Sequence, residues 1–242
     1  MATAPKISIV VAVYNAQKSI RRTVESILAQ DYANKELLII DGGSTDDTLS
    51  QVADLRSEID YLVSEKDEGI ADAYNKGIRA ASGEWIYFLN ADDVFCTDHI
   101  LSEVFAIGEV VEDLLVGRVV SDRGRVFDGR FDWKLLVRNQ VHHQAIFYRS
   151  RFLKATPYNT QYRRYGHDHE HNILIWLKGV SVRYLAKNIA IWRSGGISDS
   201  AKWRDYREEF SVRRNTLGAI AFPFNLFTMG RFVGKQLLAR VR

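Results

Sequence analysis

The run KISIVVAVY, residues 6–14, has no charged residue after Lys6 and is rich in β-branched side chains. A strand with one wet face alternates apolar and polar residues. A continuous apolar run must be buried on both faces, as in a parallel sheet covered by helices on either side. The pattern recurs in ELLIID (36–41), IDYLVSE (59–65) and EWIYFLN (84–90). Helical periodicity lies between the strands. Ile20, Val24, Ile27 and Leu28 fall on one face. Leu49, Val52 and Leu55 follow a GGSTDD turn in which Ser44 or Thr45 is placed to cap a helix. IADAYNKGIRAA (70–81) reads as a third helix. Strands alternating with helices at this spacing predict an α/β fold built from βαβ units.

Ligands of such sheets bind beyond the carboxyl ends of the strands. Those ends carry Tyr14-Asn15, Asp41-Gly42-Gly43, Glu65 to Gly69, and Asn90-Ala91-Asp92-Asp93. Neither glycine-rich phosphate fingerprint follows the first strand, which argues against a dinucleotide-dependent dehydrogenase and a P-loop NTPase. Paired carboxylates at a rigid strand end suit Mg²⁺ or Mn²⁺. From the pair alone, a turn in which Asp92 or Asp93 caps a helix starting near Thr97 is the favoured reading.

The second half is less regular. Residues 113–129 read as two strands around a turn near Asp122 to Gly124, and HHQAIFYRS (142–150) as another strand. HDHEHNILIWLKG is a helix ended by Gly179, SVRYLA and NIAIWR are two short strands, and residues 199–217 and 224–241 are helical. No repeat or linker marks a domain boundary. The single cysteine, Cys96, excludes an internal disulfide and fits a reducing compartment, and the N-terminus does not read as a secretion signal. The net charge is +3, yet all six charged residues beyond Glu209 are basic, which leaves −3 for the rest. That tail is too apolar for a nucleic-acid arm and too interrupted for a membrane span. It suits either an anionic membrane surface or packing on the domain.

ISIVVAVYN, IIDGGSTDDT, SEKDEGIADAYNKGI and GEWIYFLNADD together resemble the nucleotide-sugar half of family 2 glycosyltransferases. The resemblance is strong over residues 6–95 and continues through HHQAIFYRS, YGHDHEH and GGIS to about residue 198. It implies a GT-A (Rossmann-like), mostly parallel sheet flanked by helices. A nucleotide-sugar half (1–95) and an irregular acceptor half (96–217) precede a basic C-terminal helical tail (218–242). It implies an inverting, metal-dependent transfer from a nucleotide-diphospho-sugar, expected to be a UDP-sugar, to a hydroxyl, and the basic, apolar tail points to a glycan or lipid-linked acceptor in envelope polysaccharide assembly. The expected location is the cytoplasm, peripheral on the inner face of the cell membrane, with no nucleic-acid partner. Carried over by position, Ala12, Tyr14 and Asp41 line the nucleoside pocket, and Asp72 and Lys76 face the ribose or diphosphate. Asn90, Asp92 and Asp93 occupy the DXD position, which holds the metal and a ribose hydroxyl. Two positions depart from the family pattern. Gly42 stands where a second acid is common, and Asn90 replaces the first acid of the metal motif.

YGHDHEH (165–171) admits three readings. His167 and His171 share a helix face, as metal ligands do. The segment is also a plain polar helix start, with acids at the positive dipole end. The resemblance implies instead that Asp168 is the catalytic base, with Glu170 as second choice. His143 is placed to touch the acceptor or the donor phosphates, or is structural. Trp133, Trp176 and Trp192 are sugar-stacking or core residues, and SGGIS is a donor-closing or plain surface loop. Two rival functions remain: an inert nucleotide-binding scaffold, and a nucleotidyltransferase. The latter would require a Gly- and Arg-rich first loop, which VYNAQKSI is not.

Overall fold

The structure, a computed structural model, describes residues 4–106, 108–162, 166–193 and 203–241. Strands β1 (Ile7–Val13), β2 (Lys35–Asp41), β3 (Tyr61–Ser64) and β4 (Trp85–Phe88) form the expected parallel block, ordered β3-β2-β1-β4. Helices α1 (Ile20–Leu28) and α2 (Ile70–Ala80) cover its two faces. Along β1 the side chains divide by parity. Ile7, Ile9, Val11 and Val13 pack with Val24 and Ile27 of α1, and Val10 and Ala12 pack with Tyr74 and Ile78 of α2. This is why the first strand reads as unbroken apolar sequence. Gly77 lets α2 sit directly on β1, since a Cβ there would lie 2.3 Å from Val10 Cγ1.

The sheet then changes direction. β8 (Ile146–Arg149) pairs antiparallel with β4, β6 (Leu114–Ser121) pairs antiparallel with β8, and β9 (Val182–Trp192) runs parallel to β6. Short β5 (Val94–Phe95) closes the edge on β9, and β7 (Val126–Phe127) pairs with β6. α3 (Ile100–Phe105), α4 (Ser150–Ala155), α5 (Gly166–Leu177), α6 (Trp203–Leu217) and α7 (Ala221–Val241) complete the described helices.

Three expectations change. The segment expected as a helix through Leu49, Val52 and Leu55 is a 3₁₀ helix, Ser50–Glu58, that buries only Val52. Neither Ser44 nor Thr45 caps it. The Ser44 amide and hydroxyl both donate to Asp41, and the Thr45 amide donates to Asn15 Oδ1 at 2.9 Å. SVRYLA and NIAIWR are one strand, β9, whose polar middle coincides with register irregularities opposite Arg118. His143–Ala145 forms a 3₁₀ turn leading into β8 instead of extending it.

The C-terminal helices are tied to the domain by Arg213, a fully buried side chain. Its guanidinium donates to Val137 O (2.8 Å), Asn225 Oδ1 (2.8 Å) and Thr228 Oγ1 (2.9 Å), and pairs with Glu209. α7 therefore docks by one face. Phe222, Leu226, Phe227 and Met229 on that helix are 73, 59, 57 and 47% exposed.

Candidate active site

The loops at the carboxyl ends of β1 and β2 are laced together. Asn15, the one non-glycine residue with positive φ (50°) among those described, holds this αL backbone while its side chain accepts from Thr45 N. Its own amide donates to Ser44 Oγ at 2.8 Å, and Ala16 N donates to Thr48 Oγ1 at 2.7 Å. This lacing fixes Tyr14, whose ring is 62% exposed at the sheet edge. Ala12 is buried just beneath.

Asp41 does not face that edge. It is fully buried, and its carboxylate accepts from Ser44 N, Ser44 Oγ (2.5 Å) and Ser64 Oγ (2.5 Å). Both oxygens of Asp41, the expected nucleoside contact, thus take part in building the turn. Asp72 and Lys76, one helical turn apart on α2, form a 3.5 Å ion pair, and Lys76 also meets Glu65 at 2.9 Å. Burial opposes the charge of Lys76, but the Glu65 and Asp72 carboxylates outweigh it and raise its pKa.

At the end of β4 the two acids separate by environment. Asp93 is fully buried. One oxygen accepts from Arg193 N at 2.8 Å and the other from Gln144 Nε2. Burial, then the neighbouring Asp92, pushes its pKa up to about 7. Asp93, expected with Asp92 as a metal ligand, thus carries one hydrogen bond on each carboxylate oxygen. Asp92 is half-buried, and burial raises its pKa. Among the described residues no group of three or more His, Cys, Asp or Glu side chains is arranged to hold a metal. The available donor is the Asp92 carboxylate.

Asn90 accepts from the buried Tyr74 hydroxyl at 2.9 Å, and His143 Nε2 lies 3.2 Å from the same Asn90 oxygen and 3.1 Å from the Tyr74 hydroxyl. The other His143 nitrogen, Nδ1, stands 3.1 Å from Asp168 Oδ2 on α5. One imidazole thus bridges the β4 strand end and the histidine-rich helix. Its Nδ1–H donates to Asp168. Burial acts to raise the Asp168 pKa. The facing histidines His167 and His143, the latter also by hydrogen bond, outweigh it and hold the group well below the usual carboxylate range. Asp168 is ionised at neutral pH.

The remaining histidines of the segment do not converge on a metal. His169 Nε2 donates to Leu135 O at 2.6 Å and His171 Nε2 to Thr156 O at 2.9 Å, on different sides of the helix. Burial depresses both to about 4. His167 is buried against the rings of Tyr74 and Tyr158. Glu170, the second choice of base, lies on the same helix. It is buried and accepts from the Tyr162 hydroxyl at 3.1 Å, which in turn accepts from Asn215 of α6. Trp176 and Trp192 pack against the core, whereas Trp133 is exposed. SGGIS, 194–198, and Tyr165 lie outside the described residues. Gln144 is the residue that sequence reasoning missed. Its position next to His143 was visible, but its bond to Asp93 was not.

A parallel block with acids at its strand ends, continued through β4 into antiparallel β8, has the architecture of a GT-A glycosyltransferase. The model of the family described as "Glycosyl transferase family 2" matches residues 8–179. A "PGL/p-HBAD biosynthesis glycosyltransferase" of Mycobacterium bovis is 35% identical over 208 residues, covering 81% of this chain and 80% of its own. The chain belongs to glycosyl transferase family 2. Among solved structures, S. aureus TarS 1–349 in complex with UDP-GlcNAc superposes with a TM-score of 0.71 at 20% identity, over 93% of this chain and 72% of that one. The mannosyltransferase PcManGT of Pyrobaculum calidifontis, in complex with GDP-Man and Mn²⁺, gives 0.62 at 17% identity, over 99% and 80%.

Proposed function

We propose that this glycosyltransferase moves a sugar, with inversion, from a UDP-sugar to a hydroxyl of a glycan or lipid-linked acceptor in cell-envelope polysaccharide assembly. The observation that carries the reading is the bridge Asn90–His143–Asp168. It sets an ionised carboxylate beside the strand end where a donor diphosphate would sit. Complexes of the structural neighbours with UDP-GlcNAc and GDP-Man support a nucleotide-sugar donor.

The residues fit a divalent metal of the Mg²⁺ or Mn²⁺ type, which binds through one or two carboxylates plus substrate phosphates. Asp92 would hold it, and when bound it supplies positive charge against the departing diphosphate. Asp168 accepts the proton of the acceptor hydroxyl as the hydroxyl oxygen bonds to the sugar's C1. The C1–O bond to the diphosphate breaks on the opposite face, and its electron pair leaves with the diphosphate. His143 fixes the orientation of Asp168. Lys76, held by Glu65 and Asp72, stands ready for the diphosphate charge. The Asp168→Asn enzyme is expected to lose transfer by at least about a hundredfold while binding UDP with Mn²⁺ as the wild type does. Transfer at the wild-type rate would overturn the assignment.

The tail, residues 218–242, completes the proposal as a membrane-surface element on the cytoplasmic side. The exposed apolar residues of α7 face away from the docked side, and the chain beyond Glu209 holds six basic residues and no acid. No helix among the described residues is long and apolar enough to cross a membrane. Replacing Phe222, Leu226 and Phe227 with serine is expected to abolish co-sedimentation with anionic liposomes and spare transfer to a soluble acceptor. Equal co-sedimentation of variant and wild type would refute the membrane role.

A further inference from the structure

The nucleoside end of the site has an acid supplied from an unexpected strand. Beyond their last paired residues, β1 and β2 bring Tyr14 and Gly42 side by side, since Val13 pairs with Asp41 and Gly42 N donates to Val13 O at 2.9 Å. Position 42 carries no side chain, and the space where one would stand is filled. A Cβ at Gly42 would lie 2.4 Å from Asp67 Oδ2, and one at Gly43 would lie 3.3 Å from the Lys66 amide. The chain after β3 therefore lies across the two glycines and lays the Asp67 carboxylate on the Gly42 backbone. One oxygen, Oδ1, is anchored by Gly69 N at 2.9 Å. The other has no hydrogen-bond partner among the described residues, and the side chain is half-buried, next to the strand ends that carry exposed Tyr14. Asp41, the neighbouring acid, is spent on the turn.

We propose that Asp67 determines nucleobase specificity. Its free oxygen accepts the ring imide N–H of a pyrimidine, N3–H of uracil or thymine, while Tyr14 offers the base an aromatic surface. A carboxylate anchored in this way rejects cytosine, whose N3 presents a lone pair to the same oxygen. Asp67 is a binding residue and takes no part in bond making. The inference rests on the nucleotide-sugar reading above.

The test is titration calorimetry of the full chain with UDP, dTDP, GDP and CDP in Mg²⁺. Wild type is expected to prefer UDP or dTDP to CDP. Asp67→Ala should lose roughly ten- to hundredfold in UDP affinity, the worth of a hydrogen bond to a charged group, with little change for CDP. Asp67→Asn, which keeps the acceptor for Gly69 N and so guards against misfolding, should narrow the UDP/CDP ratio. The double variant Gly42→Asp with Asp67→Gly moves the carboxylate into the vacated space and should recover UDP binding. Wild-type affinity and wild-type UDP/CDP preference in both single variants would overturn the role of Asp67 and leave the donor class intact. A wild type that binds none of the four nucleotides would remove the donor class and this assignment together.

Discussion

The buried histidines of α5 make stability depend on pH in a direction that can be worked out. His169 and His171 each donate from Nε2 to a main-chain carbonyl and are buried, so Nδ1 stays unprotonated in the native state. Burial lowers both to about 4, against about 6.5 in an unfolded chain. Below pH 6.5 the unfolded state takes up two protons that the folded state refuses until about pH 4. The stability these neutral residues lend is therefore complete above pH 6.5 and drains as pH falls from 6.5 to 4. Together the two histidines should withdraw on the order of a few kcal/mol across that window. Native proteins hold only about 5–15 kcal/mol, so acidification to pH 4.5 should remove much of the total. Urea unfolding followed by tryptophan fluorescence between pH 7.5 and 4.5 measures it. Glutamine at both positions keeps a donor near each carbonyl and cannot ionise. The double variant His169→Gln/His171→Gln should thus lose less stability on acidification than wild type, by a few kcal/mol. Parallel pH profiles for the two proteins would refute the argument.

Other expectations follow from single contacts. Arg213→Ala removes the donor shared by the Val137 carbonyl, Asn225 and buried Thr228, so it should cost about 1–3 kcal/mol and release α7 to early proteolysis; an unchanged digestion pattern would contradict the docking described. Gly77→Ala should cost about 1–3 kcal/mol by pushing α2 off β1, and Val10→Ala in the same chain should recover part of the loss, which denaturant midpoints will show. His143→Ala should lower kcat more than it raises KM for the donor, because it frees Asp168 without touching Asp92. His143→Gln, which can still donate to Asp168, should recover part of kcat; a pure KM effect would rule out the positioning role.

Much of the nucleotide half was legible because burial on both faces leaves an unmistakable pattern. β1, β2 and β4 are buried along their length, and α2 follows IADAYNKGIRAA almost to the residue. β9 was read as two strands because Lys187 and Asn188 interrupt its apolar run, and only the register shift against β6 shows that the strand passes through them. The helix expected after Asp41 failed for a different reason. Ser44, Asp46 and Thr48 spend their side chains on neighbouring backbone and on the first loop, which competes with helix formation. At the site, the strand-end acids were visible from position. Which of them was free was not, since Asp41 and Asp93 are satisfied by Ser64, Gln144 and Arg193, up to 100 residues away.

His143 and Gln144 show how the antiparallel turn of the sheet serves the chemistry. They are neighbours in a 3₁₀ turn at the mouth of β8, and their side chains serve different partners. His143 meets Asp168 and Asn90; Gln144 meets Asp93, while its carbonyl accepts from Tyr87 of β4 at 2.7 Å. Asp168 on α5 and Asp93 beyond β4 are thereby tied to two adjacent residues. Tyr74 completes the tie from the other side of the sheet, as its hydroxyl meets both Asn90 and His143 from a ring locked against Phe88 and Tyr158. The buried aromatic cluster thus holds the end of β4, at Asn90, against His143 and through it against Asp168 of α5.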